Sequence, residues 1–177
     1  TELVVGGVRC VSDTAITYAI LKKDRNMSIR RYGFHGLSYA WIVTQFKDRL
    51  PDRLLAFHLG SGASLCAIHK GQFVFTSMGY SPLDGLSMGT RSGAIDGMAV
   101  LRMAQIHGTD EASRRLNKDS SLDGLGGSND IRFWLASATK KAKFAVDLFC
   151  YGAARHAGSS IVVIGCLVAV ACPGVFG

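Results

Sequence analysis

The sequence predicts an α/β fold in which a mixed sheet is flanked by helices. Three short apolar runs between residues 54 and 76 are separated by glycine-containing turns, a pattern typical of neighbouring antiparallel strands. Elsewhere, apolar residues recur every three or four positions, which is the spacing of helices with one buried face. With 177 residues, 48% of them hydrophobic, and 21 glycines, the chain has the size and composition of one globular domain with many turns.

The first half of the chain begins with short extended segments. Residues 3–5, followed by two glycines, predict a short strand, and residues 28–34 predict a second extended stretch. After Ser38, a residue type that caps helices, apolar residues recur at helical spacing until Pro51 ends the pattern. We therefore expect an amphipathic helix that begins near Ser38.

The clearest strand region follows this helix. Apolar runs at residues 54–57, 64–68 and 73–76 predict three strands, with turns at residues 60–62 and 70–71. Two consecutive hairpins of a small antiparallel sheet would produce this pattern. The segment after the third strand, residues 78–93, is rich in glycine and predicts a loop.

The second half of the chain is mainly helical in pattern. Apolar residues from Ile95 to Ile106 predict a helix that ends at Gly108, and a short charged helix is expected after Thr109. Residues 124–127 predict a flexible connection. Ser128 or Asn129 then caps a predicted long helix to about residue 158, and residues 161–164 predict a last, buried strand.

Composition limits the classes of function. The net charge of +7 comes from scattered cations, with no aromatic residues alternating with them, so we expect no nucleic-acid binding. The apolar run 161–172 is too short to span a bilayer, so we expect no membrane insertion. Five cysteines without a CxxC pair suggest free thiols and a cytoplasmic protein.

Three glycine-containing motifs carry candidate chemistry. Residues 30–36 (RRYGFHG) place a histidine beside a glycine, and residues 57–64 (FHLGSGAS) contain a Gly-x-Gly turn whose backbone N–H groups can approach an anion. Residues 88–93 (MGTRSG) place an arginine in a loop shortly before a helix, an arrangement that suits phosphate. Each motif alone is more often a structural turn than a functional site.

Together and in this order, the motifs resemble the acetate kinase family. The family patterns RYGFHGTSH, HLGNGAS and DTSMGxTPLEGLxMGTRxG match residues 31–38, 58–64 and 76–96 of this chain. The resemblance implies an acetate and sugar kinase/Hsp70/actin (ribonuclease H-like) fold, present in part. It also implies a phosphotransferase that passes the γ-phosphoryl group of ATP to acetate, giving acetyl phosphate and ADP reversibly, with Mg²⁺ as cofactor.

The resemblance also implies roles for individual residues. Arg91 matches the catalytic arginine of the family, His35 a histidine that contacts the transferring phosphoryl group, and Asp13 an aspartate that acts near metal and phosphate. Nucleotide phosphates would be held by the turn that follows the first strand of the sheet, through His58, Gly60, Ser61 and Gly62. The matched segments supply no metal ligands of their own.

The chain also departs from the family pattern. Tyr39 stands where a second histidine is usual, Ser61 replaces asparagine, Phe73 replaces serine and Phe75 replaces an acidic residue. The family's first phosphate loop and its adenosine-binding turn are not recognisable.

We therefore expect residues 1–14 to be the end of a first kinase domain and residues 15–177 to be an incomplete second one. The isolated chain is expected to be inactive. The alternatives are a non-catalytic remnant that binds nucleotide weakly or packs against a partner, and a propionate or butyrate kinase. Intact members of the family are homodimers.

Overall fold

The structure, a computed structural model, describes residues 4–5, 8–9, 13–166 and 168–172. Its strands are β1 (Val4–Val5), β2 (Val8–Arg9), β3 (Arg53–Leu59), β4 (Ala63–His69), β5 (Gln72–Thr76) and β6 (Ala169–Ala171). Its helices are α1 (Asp13–Ile16), α2 (Lys22–Asn26), α3 (Gly36–Phe46), α4 (Gly97–His107), α5 (Thr109–Lys118), α6 (Ser121–Gly124), α7 (Ile131–Leu135) and α8 (Lys140–Val163). A 3-10 helix, Lys47–Arg49, follows α3.

A mixed four-stranded sheet organises the fold, with the strand order β5-β4-β3-β6. Strands β3, β4 and β5 pair antiparallel as two consecutive hairpins, and β6 pairs with β3 in parallel. Strands β1 and β2 form a separate two-stranded hairpin. The predicted α/β class, the mixed sheet with flanking helices and both hairpins are confirmed.

Alternation along β3 and β4 sends side chains to two faces of the sheet, as the two-residue period of a strand requires. On one face, Leu55 and Leu65 pack with residues of the loop after β5 and with Ile161 of α8. On the other face, Leu54 and Ile68 pack against Ile42 of α3. Both faces are covered, which is why β3 and β4 carry nearly continuous apolar runs.

The predicted strand at residues 161–164 is wrong, because α8 continues through Val163. Ala153, Ala157 and Ile161 of this helix, and Ile164 directly after it, pack on the same core cluster. Their spacing of four, four and three residues is helical, although a short run of β-branched residues has the composition of a strand. The strand that joins the sheet lies further along the chain, at β6.

The predicted single helix from residue 129 to about residue 158 is two helices. Asp130 caps α7 by accepting a hydrogen bond from the Arg132 amide, and Thr139 caps α8 by accepting one from the Ala142 amide at 3.2 Å. The Ser137 hydroxyl accepts from the Thr139 amide between the two helices. Serine and threonine side chains compete for backbone groups in this way, and here they end one helix and start another.

Two expectations near α3 also need correction. The helix begins at Gly36 with His35 at its N-cap in a left-handed conformation (φ 61°), so Ser38 lies inside the first turn. Residues 28–34 form no strand, although the Arg31 amide bonds to the Ile16 carbonyl and the Tyr32 amide to the Gly79 carbonyl. The segment is therefore held by isolated hydrogen bonds, and the side chain of Ser38 is left for another contact.

Other elements agree with their patterns. Helices α4 and α5 occupy the predicted positions, and β1 confirms the first strand at Val4 and Val5, whereas residue 3 and the following glycines lie outside the described residues. Met98, Leu101 and Ile106 on α4 are more than half exposed. Within the described part of the chain, no helix combines the length and apolarity that crossing a bilayer requires.

Candidate active site

The site is built on the tight turn between β3 and β4. The last ladder pairs join His58 to Ser64 and Leu59 to Ala63, and the Gly60 amide bonds to the Gly62 carbonyl at 3.0 Å. The turn predicted at residues 60–62 is thus confirmed. Because the hairpin is fixed by seven ladder pairs, the turn holds its position relative to the sheet.

Two histidines lie side by side at this end of the sheet. The rings of His35 and His58 stack with centroids 4.0 Å apart and planes 24° apart. Nδ1 of His58 lies 3.0 Å from the Ser38 hydroxyl, and Nδ1 of His35 lies 2.7 Å from the Ser64 hydroxyl. Each ring is therefore fixed through Nδ1, and its Nε2 is left for other contacts.

Gly62 leaves the space into which His35 and Arg91 project. A Cβ atom built on Gly62 would lie 3.2 Å from Nε2 of His35 and 3.3 Å from Nη1 of Arg91, closer than ordinary van der Waals contact. A Cβ atom built on Gly60 would lie 3.5 Å from Nε2 of His58. His35 and Arg91 therefore meet at Gly62, and His58, which stacks on His35, lies beside Gly60 of the same turn.

The loop after β5 positions Arg91. The Met88 amide bonds to the Arg91 carbonyl, and the Ser92 amide bonds to the Leu116 carbonyl of α5. Gly93 has a φ of 72°, and a Cβ there would lie 2.6 Å from the Leu86 carbonyl oxygen, so the turn requires glycine. Among the described residues, no carboxylate forms an ion pair with Arg91, whose Nη1 contacts Met88 Sδ at 3.8 Å.

Burial at this turn keeps both histidines neutral. Burial, reinforced by the neighbouring His58 and Arg91, lowers the pKa of His35 to about 4. Burial also lowers the pKa of His58. At neutral pH the fixed positive charge among these three side chains is therefore that of Arg91, and the histidines act as neutral hydrogen-bonding groups.

A further group of polar residues faces the turn across an open cleft. The cleft is lined by Gly60 and Ser61 on one side and by Asn129 and Arg132 on the other. Asp130 holds the Arg132 guanidinium through contacts of 2.7 to 3.0 Å. These residues were not predicted, because residues 128–129 have the pattern of a helix cap. The available signal was an aspartate and an arginine two positions apart.

Asp13 is the one expected site residue that the structure does not place at the cleft. It is the first residue of α1, and its side chain lies outside the described residues. Among the side chains that are described, no group of three histidine, cysteine, aspartate or glutamate residues is suited to hold a metal ion.

Comparison with known proteins agrees with the motifs. The model of the acetokinase family matches residues 7–176. The acetate kinase of Rickettsia felis is 42% identical over 161 residues, covering 85% of this chain and 42% of that protein. The crystal structure of acetate kinase from Entamoeba histolytica superposes with a TM-score of 0.86 at 34% identity, covering 92% of this chain and 45% of that one.

A propionate kinase from Francisella tularensis gives a TM-score of 0.82 at 32% identity, covering 90% of this chain and 44% of that one. The chain thus spans less than half the length of each of these proteins. Within that span, the resemblance inferred from the three motifs is confirmed by sequence and by fold. The chain belongs to the acetokinase family.

Proposed function

We propose that this chain carries part of the active site of an acetate kinase-type phosphotransferase, which passes the γ-phosphoryl group of ATP to acetate and forms acetyl phosphate and ADP reversibly. The observation that carries the proposal is the convergence of Arg91 and His35 on the space above Gly62, next to a backbone turn. A guanidinium, a neutral imidazole and a glycine turn are groups that bind phosphate oxygens.

The chemistry of phosphoryl transfer fits these groups. The transferring phosphoryl group develops charge on its oxygens, and catalysis depends on alignment and on donors directed at that charge. In our proposal, Arg91 stabilises this charge with its guanidinium N–H groups and His35 adds a neutral contact. His58 stacks on His35 and limits its motion.

Nucleotide phosphates would lie along the Gly60–Ser61–Gly62 turn, where the backbone N–H groups other than that of Gly60, which bonds to the Gly62 carbonyl, can approach an anion closely. Arg132 and Asn129 border the same cleft and supply further donors. Ser61 retains a hydroxyl donor where the family pattern has asparagine, although with a shorter reach.

Mg²⁺ accompanies ATP in reactions of this class and neutralises phosphate charge. Among the described side chains, no group of three histidine, cysteine, aspartate or glutamate residues is placed to hold the ion. We propose Asp13 as the residue of this chain that acts near the metal and the phosphates, since the sequence around it matches the family segment.

Acetate is the acceptor that we propose, and propionate or butyrate is the alternative. One structural neighbour is named a propionate kinase and others are named acetate kinases, so the shared fold does not select between the acids. We propose that residues 1–14 are the end of a first domain and that residues 15–177 are part of a second, because the motifs of the family follow one another from residue 31 onward. We also propose that the intact protein is a cytoplasmic homodimer.

Calorimetric titration of the chain with ATP and with AMP tests the proposal. We expect ATP to bind more tightly than AMP, because the turn and Arg91 contact phosphates that AMP lacks. Arg91→Ala should weaken ATP binding about tenfold or more, whereas Arg102→Ala on the exposed face of α4 should not change it. Equal affinities for ATP and AMP, or equal effects of the two substitutions, would contradict the proposal.

A further inference from the structure

A buried chain of hydroxyl groups leads from the core to His35. The Tyr39 hydroxyl is hydrogen-bonded to the Ser64 hydroxyl, which in turn lies 2.7 Å from Nδ1 of His35. Tyr39 is 2% exposed and Ser64 is fully buried. The Tyr39 ring packs at a tilt against Phe73, with centroids 6.4 Å apart, so its hydroxyl is held towards Ser64.

The number of protons on these groups determines which group donates in each of the two hydrogen bonds. Tyr39 keeps its proton at neutral pH because burial raises the pKa of the phenol. If Tyr39 donates to Ser64 and Ser64 donates to Nδ1 of His35, every buried proton has an acceptor. If Nδ1 of His35 carried a proton instead, either Ser64 or Tyr39 would have a buried hydroxyl proton without an acceptor among the described side chains.

The favoured direction determines which ring nitrogen of His35 carries the proton. A neutral histidine that accepts at Nδ1 carries its proton on Nε2. Nε2 is the atom 3.2 Å from the position of a Cβ on Gly62, in the space that Nη1 of Arg91 also borders. His58 does not compete for Ser64, because its own Nδ1 contacts Ser38.

We propose that Ser64 and Tyr39 are positioning residues that hold neutral His35 as the Nε2–H tautomer, so that it presents a hydrogen-bond donor to the anion that Arg91 faces. The inference rests on the proposed function for the identity of the anion. Neither hydroxyl touches the anion; both act through the His35 ring. In this chain a tyrosine takes the position at which the family pattern has a second histidine, and it supplies a proton that stays on the phenol.

Long-range ¹H–¹⁵N spectra of the full chain, labelled on histidine nitrogens and free of nucleotide, test the inference. His35→Gln identifies the His35 signals. We expect Nε2 to show the shift of a protonated nitrogen and Nδ1 the shift of an unprotonated nitrogen that accepts a hydrogen bond. A proton on Nδ1 of His35 in the unsubstituted chain would overturn the proposal.

Two substitutions separate positioning from simple packing. Ser64→Ala should move the Nδ1 signal of His35 to the position of a nitrogen without a hydrogen bond, and Tyr39→Phe should move it part of the way, because hydrogen bonds in a chain strengthen one another. An unchanged Nδ1 signal in Ser64→Ala would also overturn the proposal. A confirmed Nε2–H tautomer in a chain that binds no ATP would contradict the proposed function alone.

Discussion

Nε2 of His35 and Nη1 of Arg91 lie 3.2 Å and 3.3 Å from the point that a side chain on Gly62 would occupy. The two residues are 56 positions apart in the sequence, yet one glycine keeps the space between them open. An anion that contacts both groups needs that space, and this makes Gly62 the most direct place at which to perturb the site.

Gly62→Ala should weaken ATP binding about tenfold or more while changing the free energy of unfolding by less than about 1 kcal/mol. The added methyl group displaces the tips of His35 and Arg91 and occupies the space for the anion. The matched control is Gly97→Ala at the start of α4, where a Cβ meets nothing within 4 Å. Calorimetry and urea unfolding measure both quantities. Normal ATP binding by Gly62→Ala would show that the anion lies elsewhere.

The stability of the chain should fall as the pH drops from about 6.5 to about 4. In the unfolded chain His35 takes up a proton near its ordinary pKa of 6.5, whereas burial and its neighbours lower the folded pKa to about 4. The unfolded state therefore binds more protons than the folded state between about pH 6.5 and pH 4. The stabilisation that is present above about pH 6.5 is lost as the pH falls through this range. His58 and His156, whose pKa values are also lowered by burial, add in the same direction.

His35→Gln should reduce this loss by roughly 2 kcal/mol, once solvent screening of a partly exposed ring is allowed for. Urea unfolding at a series of pH values measures the difference. The same pH dependence in His35→Gln and in the unsubstituted chain would mean that His35 keeps an ordinary pKa in the fold.

Thr139→Ala should destabilise the fold by about 1 kcal/mol, because the threonine hydroxyl accepts from the Ala142 amide and caps α8. The control is Thr44→Ala in α3, whose exposed hydroxyl donates to the Trp41 carbonyl within the same helix; it should change stability by less than about 0.5 kcal/mol. Chemical unfolding of both variants provides the measurement. A Thr139→Ala variant as stable as Thr44→Ala would place the start of α8 elsewhere.

The chain alone should form no measurable acetyl phosphate from acetate, ATP and Mg²⁺ when the product is trapped with hydroxylamine. Many kinases align donor and acceptor by closing loops or domains around them, and alignment is worth roughly 7–11 kcal/mol. This chain spans less than half the length of its relatives. Turnover that disappears in Arg91→Ala would show that the chain contains a complete active site.

The parts of the fold that follow from local pattern were predictable. The hairpins of β3, β4 and β5 combine apolar strands with glycine turns, and both signals act within a few residues. The end of α8 was not predictable in this way, because Ile161 and Val163 favour strands by composition, while packing of Ile161 on the sheet holds them in a helix.

The candidate site was predictable only in part for a similar reason. His35, His58 and Arg91 lie in recognisable motifs, but the link from Tyr39 through Ser64 to His35 joins residues 25 and 29 positions apart and depends on how α3 packs over β4. Arg132 lines the cleft because α7 is a separate short helix. The apolar periodicity of the sequence had predicted α7 and α8 as one helix.

Mapping of inorganic tripolyphosphate binding by ¹H–¹⁵N spectra of the uniformly labelled chain tests the central claim most directly. We predict that the largest shifts occur at the backbone amides of Gly60, Ser61 and Gly62 and at the side chain of Arg91, and that Arg91→Ala reduces them together. Largest shifts at the exposed lysines that begin α8, with the turn unaffected, would contradict the claim that this turn and Arg91 form the phosphate site.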